Sequence, residues 1–99
     1  MGVELNDMGF LYNFPNLRYL GLEGIKYNNR IMDLNNTLIE YFIVSHIQTN
    51  ETIELLNYNN LKEFICFYSN ININIAGIKI IDNYDDFINE PEYFELFEW

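Results

Sequence analysis

The chain has 99 residues, a formal net charge of −10 at pH 7 and 49% hydrophobic residues. Its length fits one domain over residues 1–99, and its hydrophobic content excludes a disordered acidic tail. The excess of acidic residues excludes direct binding to the phosphate backbone of nucleic acid.

The sequence also indicates where the protein resides. Cys66 is the only cysteine, so no intramolecular disulfide can form, and a reducing compartment is expected. Residues 1–7 contain no basic segment followed by a long apolar run, and no apolar stretch reaches the length of a membrane span. These features predict a cytoplasmic protein without membrane association.

The chain opens with a short apolar pattern and continues with a recurring one. Met8, Leu11 and Phe14 recur at a three-residue spacing, which predicts a short helix or 3₁₀ turn before Pro15. An L-x-x-L-x-L pattern then occurs three times at nearly equal intervals. Its positions are Leu17, Leu20 and Leu22, then Leu38, Tyr41 and Ile43, then Leu61, Phe64 and Cys66.

The stretch 14–24, FPNLRYLGLEG, resembles the strand segment of a leucine-rich repeat, and the resemblance extends over about residues 8–69. The asparagine of that family is expected at three positions that here hold Ile25, His46 and Ser69. The resemblance implies an α/β fold, a short leucine-rich-repeat-like solenoid with a C-terminal acidic cap. It also implies a protein-binding surface on exposed strand faces, which would include Phe42, Val44, Ile65 and Phe67, and no enzyme activity.

A second fold remains open from the sequence. Residues 38–47 and 61–68 also have apolar side chains at helical spacing, so both segments can be interpreted as helices. Residues 70–75 alternate Asn and Ile before Ala76-Gly77, which predicts a hairpin or two successive strands. This alternative is a compact α+β fold with helices packed on a small antiparallel sheet.

The residues that usually carry catalysis or bind metals are sparse. His46 is the only histidine, and no motif joins it to Cys66 or to a serine, so a turn or core-edge role is expected for it. Cys66 lies in an apolar run, which predicts a buried structural thiol. We therefore predict no catalytic residues, no metal site and no cofactor.

Acidic and aromatic residues alternate near the C-terminus, where seven acids and no base follow from Asp82 onward. Aromatic side chains surrounded by carboxylates suit a basic protein cleft. This predicts a bacterial immunity protein that neutralises a basic nuclease toxin, and the alternatives are a phage anti-CRISPR nucleic-acid mimic or a self-associating scaffold module. The sequence leaves the oligomeric state open. The predicted partner-binding residues are Asp82, Asp85, Asp86, Glu90, Glu92, Tyr93, Glu95, Glu40 and Glu63.

Overall fold

The computed structural model describes residues 3–83, which form eight short strands and one 3₁₀ helix. The predicted short helix or 3₁₀ turn before Pro15 is confirmed, because a 3₁₀ helix spans Gly9–Asn13. The strands are β1 (Glu4–Leu5), β2 (Tyr19–Glu23), β3 (Lys26–Tyr27), β4 (Ile31–Asp33), β5 (Tyr41–Ser45), β6 (Glu54–Leu56), β7 (Glu63–Phe67) and β8 (Lys79–Ile81).

All the strand pairs of the described chain are parallel. The largest sheet has four strands in the order β2-β5-β7-β8, and two further sheets pair β1 with β3 and β4 with β6. Single bridges extend the small sheets, from Lys26 to Gln48 and from Ile53 to Ile71. The chain therefore passes each sheet in turn and returns to it one strand further along.

A constant repeat step relates the first three strands of the large sheet. Tyr19 pairs with Tyr41, and Tyr41 with Glu63, whereas the next partner of Glu63 is Lys79. We call the interval from Tyr19 to Tyr41, or from Tyr41 to Glu63, the repeat step. Residues 19–40 are then the first coil, 41–62 the second and 63–78 the third. The third coil is shorter than the other two.

The core forms where equivalent positions of successive coils stack inside the sheets. Leu20, Phe42 and Phe64 are aligned by the strand register, and each is at most 8% exposed. The rings of Phe42 and Phe64 stack with centroids 5.4 Å apart. Val44 and Cys66 form a second buried column beside them. Parallel in-register pairing thus brings like side chains together, and this buries apolar area that one coil alone leaves in water.

A second buried cluster lies on the opposite face of the four-stranded sheet. It contains Ile43, Ile65, Phe67 and Ile81, while on β2 the same face carries the exposed Tyr19, Gly21 and Glu23. The predicted exposed apolar patch is therefore wrong at all four of its apolar positions. Phe42 and Val44 lie in the main core, and Ile65 and Phe67 are buried in this second cluster.

Neither predicted fold class is correct. Residues 3–83 contain no α-helix, so the α/β solenoid is wrong, and so is the α+β alternative, because 41–45 and 63–67 are strands. The segments that contain β4 and β6 also alternate with a period of two, as strands do, instead of three or four. Met32 and Leu34 point inward, as do Ile53 and Leu55 in the next coil. A strand alternates its side chains in this way, and β-branched and aromatic residues favour it.

Of the two predictions for residues 70–81, a hairpin or two successive short strands, the hairpin is wrong. Ile71 bridges to Ile53, and β8 pairs with β7, both in the parallel sense. The turn at Ala76-Gly77 is present, and Gly77 has a φ of 79°. The turn therefore carries the chain onward to the next sheet rather than back onto the same one.

Left-handed backbone residues make the corners of each coil. Gly24, His46 and Tyr68 follow β2, β5 and β7 at the same repeat position, with φ of 66°, 54° and 50°. Asn35, Asn36 and Asn57 do the same at another corner. Glycine and asparagine accept this conformation readily, whereas histidine and especially tyrosine adopt it less easily.

The strand register can be tested by comparing substitutions at two positions, Phe42 in β5 and Leu38 in the segment that precedes it. We expect Phe42→Ala to lower the free energy of unfolding by about 3–5 kcal/mol, because the ring is fully buried and its removal leaves a cavity. Leu38→Ala should cost well under half of that, since Leu38 is 47% exposed. Urea unfolding at pH 7 measures both values. Equal losses, or a larger loss at Leu38, would contradict the register.

Candidate interaction surface

Three of the predicted partner-binding residues belong to the described chain. Glu40 precedes β5, Glu63 begins β7, and the exposed Asp82 follows β8. Glu40 and Glu63 each lie beside at least one cationic side chain of the same chain. The other predicted residues, Asp85, Asp86, Glu90, Glu92, Tyr93 and Glu95, lie outside the described residues.

Charged residues stack at the position just before the strands of the large sheet. Arg18, Glu40 and Lys62 are separated by one repeat step each, and backbone hydrogen bonds join them, from Glu40 N–H to Arg18 C=O and from Lys62 N–H to Glu40 C=O. The Arg18 Nε–H donates to Glu40 Oε2 at 2.6 Å, and Lys62 Nζ lies 2.8 Å from Glu40 Oε1. We call these three residues the charge ladder.

The charge ladder changes the acidity of its members. Hydrogen bonds from Lys62 and Arg18 hold the pKa of the Glu40 carboxyl below its ordinary value, and the charges of both cations add to this effect. In return, Glu40 raises the pKa of Arg18 and of Lys62, first through those hydrogen bonds. The Glu40 side chain is only 12% exposed, while both cations are more than half exposed. This carboxylate is therefore engaged within the protein.

Glu63 has a looser contact of the same kind. Its Oε1 lies 3.9 Å from Lys79 Nζ on the neighbouring strand, and its side chain is 19% exposed. The more exposed members of these ion pairs are thus the cations Arg18, Lys62 and Lys79, rather than the two carboxylates. The surface around Glu40 and Glu63 therefore carries less negative charge than the presence of two glutamates suggests.

A small acidic recess lies at the N-terminal end of the described chain. It has a volume of about 330 Å³, and its lining includes Asp7, Asp33 and Tyr27. Burial, together with the negative charges of Asp7 and Asp33, raises the pKa of Tyr27 to about 12. The Tyr27 hydroxyl donates to the carbonyl of Ile31 at 2.7 Å. The sequence pattern gave no indication of this recess, because 7 and 33 are far apart along the chain.

A larger recess opens at the corner that follows the strands of the large sheet, and we call it the corner recess. It has a volume of about 910 Å³ and is lined by parts of all three coils. Its depth follows from unequal coil lengths. In the second coil, residues 49–52 lie between Gln48 and Ile53. In the third coil, the equivalent positions are Asn70, one repeat step after Gln48, and Ile71, the bridge partner of Ile53, and they are adjacent in the sequence. Residues 49–52 therefore have no counterpart in the third coil. The lining residues are 26–29 in the first coil, 47–51 in the second and 68–70 in the third.

Two aromatic side chains stand at this corner. The rings of His46 and Tyr68 stack with centroids 4.7 Å apart, and Ser45 Oγ lies 2.8 Å from His46 Nδ1. His46 is exposed, and Tyr68 is 76% exposed. The prediction of a turn histidine is confirmed. The importance of Tyr68 was missed, although its position one repeat step after His46 was a signal in the sequence.

Cys66 is a buried thiol, as predicted from its apolar neighbours. Burial raises its pKa to about 11, and the negative charge of Asp82 contributes to the same direction. A thiol with a high pKa has little thiolate at neutral pH and is a weak nucleophile. Its side chain completes the inner column that also contains Val44.

No group of three or more His, Cys, Asp or Glu side chains in residues 3–83 is arranged to hold a metal ion. None of the helical structure in that range is long and apolar enough to cross a bilayer. Comparison with protein-family models, curated proteins and solved structures gave no match. The leucine-rich-repeat resemblance of residues 8–69 therefore stays a prediction.

The charge ladder predicts a pH-dependent contribution to stability. Because the pKa of Glu40 is lowered in the folded state, its stabilising effect is complete above the ordinary glutamate value of about 4.3 and is lost as the pH falls through the folded value. We expect wild type to be more stable than Glu40→Gln at about pH 7, and the difference to vanish towards about pH 2. Urea unfolding across this range measures the difference.

The exposed Glu23 provides the control for this comparison. Glu23→Gln should leave the unfolding midpoint close to that of wild type at each pH, since no cation bonds to that carboxylate among residues 3–83. A Glu40→Gln difference that keeps its full size under strongly acidic conditions would contradict the ladder as its source.

The burial of Cys66 can be tested by alkylation. At about pH 8 we expect iodoacetamide to modify the folded protein at least about a hundredfold more slowly than the urea-unfolded protein, because the folded thiol has a pKa of about 11 and is shielded from solvent. Mass spectrometry of timed samples gives both rates. Similar rates in the two states would show that the thiol is accessible.

Proposed function

We propose that this chain is a small acidic inhibitor that binds a basic protein in the cytoplasm. The best fit is a bacterial immunity protein that neutralises a nuclease toxin. The observation that carries the proposal is the distribution of charge. Residues 84–99 hold six of the 15 acidic residues and none of the five basic ones, so they account for more than half of the net charge of −10.

The described surface supports a division between a stabilising and a binding set of acids. Glu40 and Glu63 lie beside cations of this same chain, so they have less charge to offer a partner. Asp82 is exposed and lies just before the acidic segment 84–99. Asp7 and Asp33 add a second negative region, in the small acidic recess. The proposed binding set is therefore centred on Asp82, Asp85, Asp86, Glu90, Glu92, Tyr93 and Glu95.

The proposal has a physical rationale in the rate of association. A cluster of like charge creates a field that steers an oppositely charged protein and accelerates encounter, typically by one to three orders of magnitude at low salt. Neutralising a nuclease requires fast capture and also a surface that occupies a cleft built for phosphates. Carboxylates present the same sign of charge as that substrate, and aromatic side chains beside them can serve as anchors.

Two other functions share parts of this evidence. A phage nucleic-acid mimic of the anti-CRISPR kind uses the same charge and differs only in its basic partner. A self-associating scaffold requires an exposed apolar face, and the large sheet offers little support for it, because Ile43, Ile65, Phe67 and Ile81 are buried. The inhibitor proposal therefore ranks above the scaffold.

The decisive experiment is a pull-down with the full chain from lysate of the source organism, at low and high salt. We expect a basic nuclease or nucleic-acid-binding protein, whose capture falls as the salt concentration rises. Asp85→Lys combined with Asp86→Lys should reduce capture by at least about tenfold, because reversal converts attraction into repulsion. Inhibition of the captured protein's nuclease activity by the wild-type chain completes the test.

A matched control separates the position of the charge from its amount. Glu23→Lys combined with Glu51→Lys changes the net charge equally, at two exposed positions outside the proposed binding set. This variant should retain most of the capture at moderate salt. Recovery of only a second copy of the chain, or of a partner that responds equally to both double variants, would overturn the proposal.

A further inference from the structure

We propose that the corner recess binds a neutral saccharide, and that Tyr68 is the surface on which one sugar ring stacks. This inference is independent of the acidic inhibitor, because it rests on different residues. Three observations support it: the chemistry of the lining, the orientation of the aromatic pair and the strained backbone that holds this pair.

The lining of the corner recess is polar and has no net charge. Among residues 3–83, Lys26 and Glu51 are the only charged side chains that line it, and they have opposite signs. Gln48, Asn50 and Asn70 contribute amides, each with donor and acceptor groups. A lining with this composition does not suit an apolar ligand, which needs hydrophobic walls, or a polyanion, which needs an excess of cations.

The amides are available for a ligand. Within residues 3–83, the side chains of Gln48 and Asn50 form no hydrogen bond and are exposed to solvent. The Asn70 Oδ1 accepts from Thr52 Oγ–H at 3.2 Å, which leaves its amide hydrogens to donate elsewhere. Sugar hydroxyls both donate and accept, so they match paired amide groups better than a ligand with only one kind of group.

Tyr68 supplies the second element of saccharide recognition. One face of its ring lies against His46 at a centroid distance of 4.7 Å, yet the residue is 76% exposed. The exposed Tyr68 side chain lines the same recess as the amides of Gln48, Asn50 and Asn70. A pyranose has a face of C–H groups that packs on an aromatic ring, while its hydroxyls point sideways towards hydrogen-bonding groups.

The left-handed turn at this corner does not itself call for an aromatic residue. The first coil makes the same left-handed turn with Gly24, which adopts a φ of 66° without a steric penalty. His46 and Tyr68 adopt nearly the same φ with large side chains, which is unfavourable for a bulky residue. Strain that a glycine would avoid is typically retained at binding sites.

The test is a titration of the ¹⁵N-labelled full chain, followed by amide chemical shifts. The probes are maltotriose, cellotriose, chitotriose, mannotriose and galactotriose, each at millimolar concentration. We expect at least one to shift the amides of Gln48, Asn50 and Tyr68 with a saturable profile. Tyr68→Phe should keep the affinity within about threefold, and Tyr68→Gly should weaken it at least about tenfold, because stacking is lost.

Tyr68→Gly also distinguishes binding from stability. Because glycine relieves the left-handed strain, this variant should unfold in urea at a midpoint no lower than that of Tyr68→Phe, although it loses the ligand. Tyr12→Ala is the matched control, since Tyr12 is 75% exposed and lies outside the corner recess. It should bind as wild type does.

Three results would overturn the proposal. One is the absence of saturable shifts with all five oligosaccharides. Another is unchanged affinity in Tyr68→Gly. The third is a shift of the same amides by a lysine-rich peptide and by none of the sugars, which would assign the corner recess to a basic protein. None of these results bears on the charge-reversal experiment at Asp85 and Asp86.

Discussion

The repeat step between coils is the constraint on which the rest of the structure depends. Parallel pairing at a fixed step places equivalent residues directly above one another, so each position must be compatible with its own counterpart in the next coil. Inside, this gives the stack of Leu20, Phe42 and Phe64. At the strand entrance, it favours charges of alternating sign, as in Arg18, Glu40 and Lys62. One geometric rule thus determines both the core and part of the surface.

The corners of the coils also repeat at the fixed step, and one of them shows a departure from it. A left-handed residue directly follows each of the first three strands of the large sheet, whatever its side chain, because the chain must turn sharply towards the next sheet. The third coil departs from the rule in length. Between Asn70 and Ile71 it omits the stretch that residues 49–52 form in the second coil, and the corner recess results from the mismatch. Regular stacking therefore builds the framework, and the irregular coil shapes the surface.

The sequence predicted the length of the repeat step well, but it was less successful at predicting which strand residues point into the core. The first and third copies of the leucine pattern have the correct inward residues, Leu20 with Leu22 and Phe64 with Cys66. In the second copy the pattern selected Tyr41 and Ile43, whereas Phe42 and Val44 are inward. All four residues are apolar, so periodicity alone could not distinguish the two faces, and a shift by one residue exchanges them.

The type of element was harder to predict for a related reason. Ile31 and Leu34 have helical spacing, but the inward pair is Met32 and Leu34, which have the spacing of a strand. Very short strands contain too few positions to distinguish the two periods. The recesses could not be predicted, because they join residues such as Asp7 and Asp33 from distant parts of the chain. The regular spacing of Gly24, His46 and Tyr68 was present in the sequence as a signal of the shared corner.

The charge ladder has a consequence for how the sequence can change over time. A substitution at position 40 alters the environment of positions 18 and 62, which are distant along the chain, more than that of its sequence neighbours. Replacing Glu40 with a cation would place three like charges in one column, unless Arg18 and Lys62 changed sign as well. Tolerated changes are therefore expected in coupled sets whose members are one repeat step apart. In such a fold, the column across coils evolves as a unit, rather than the single residue.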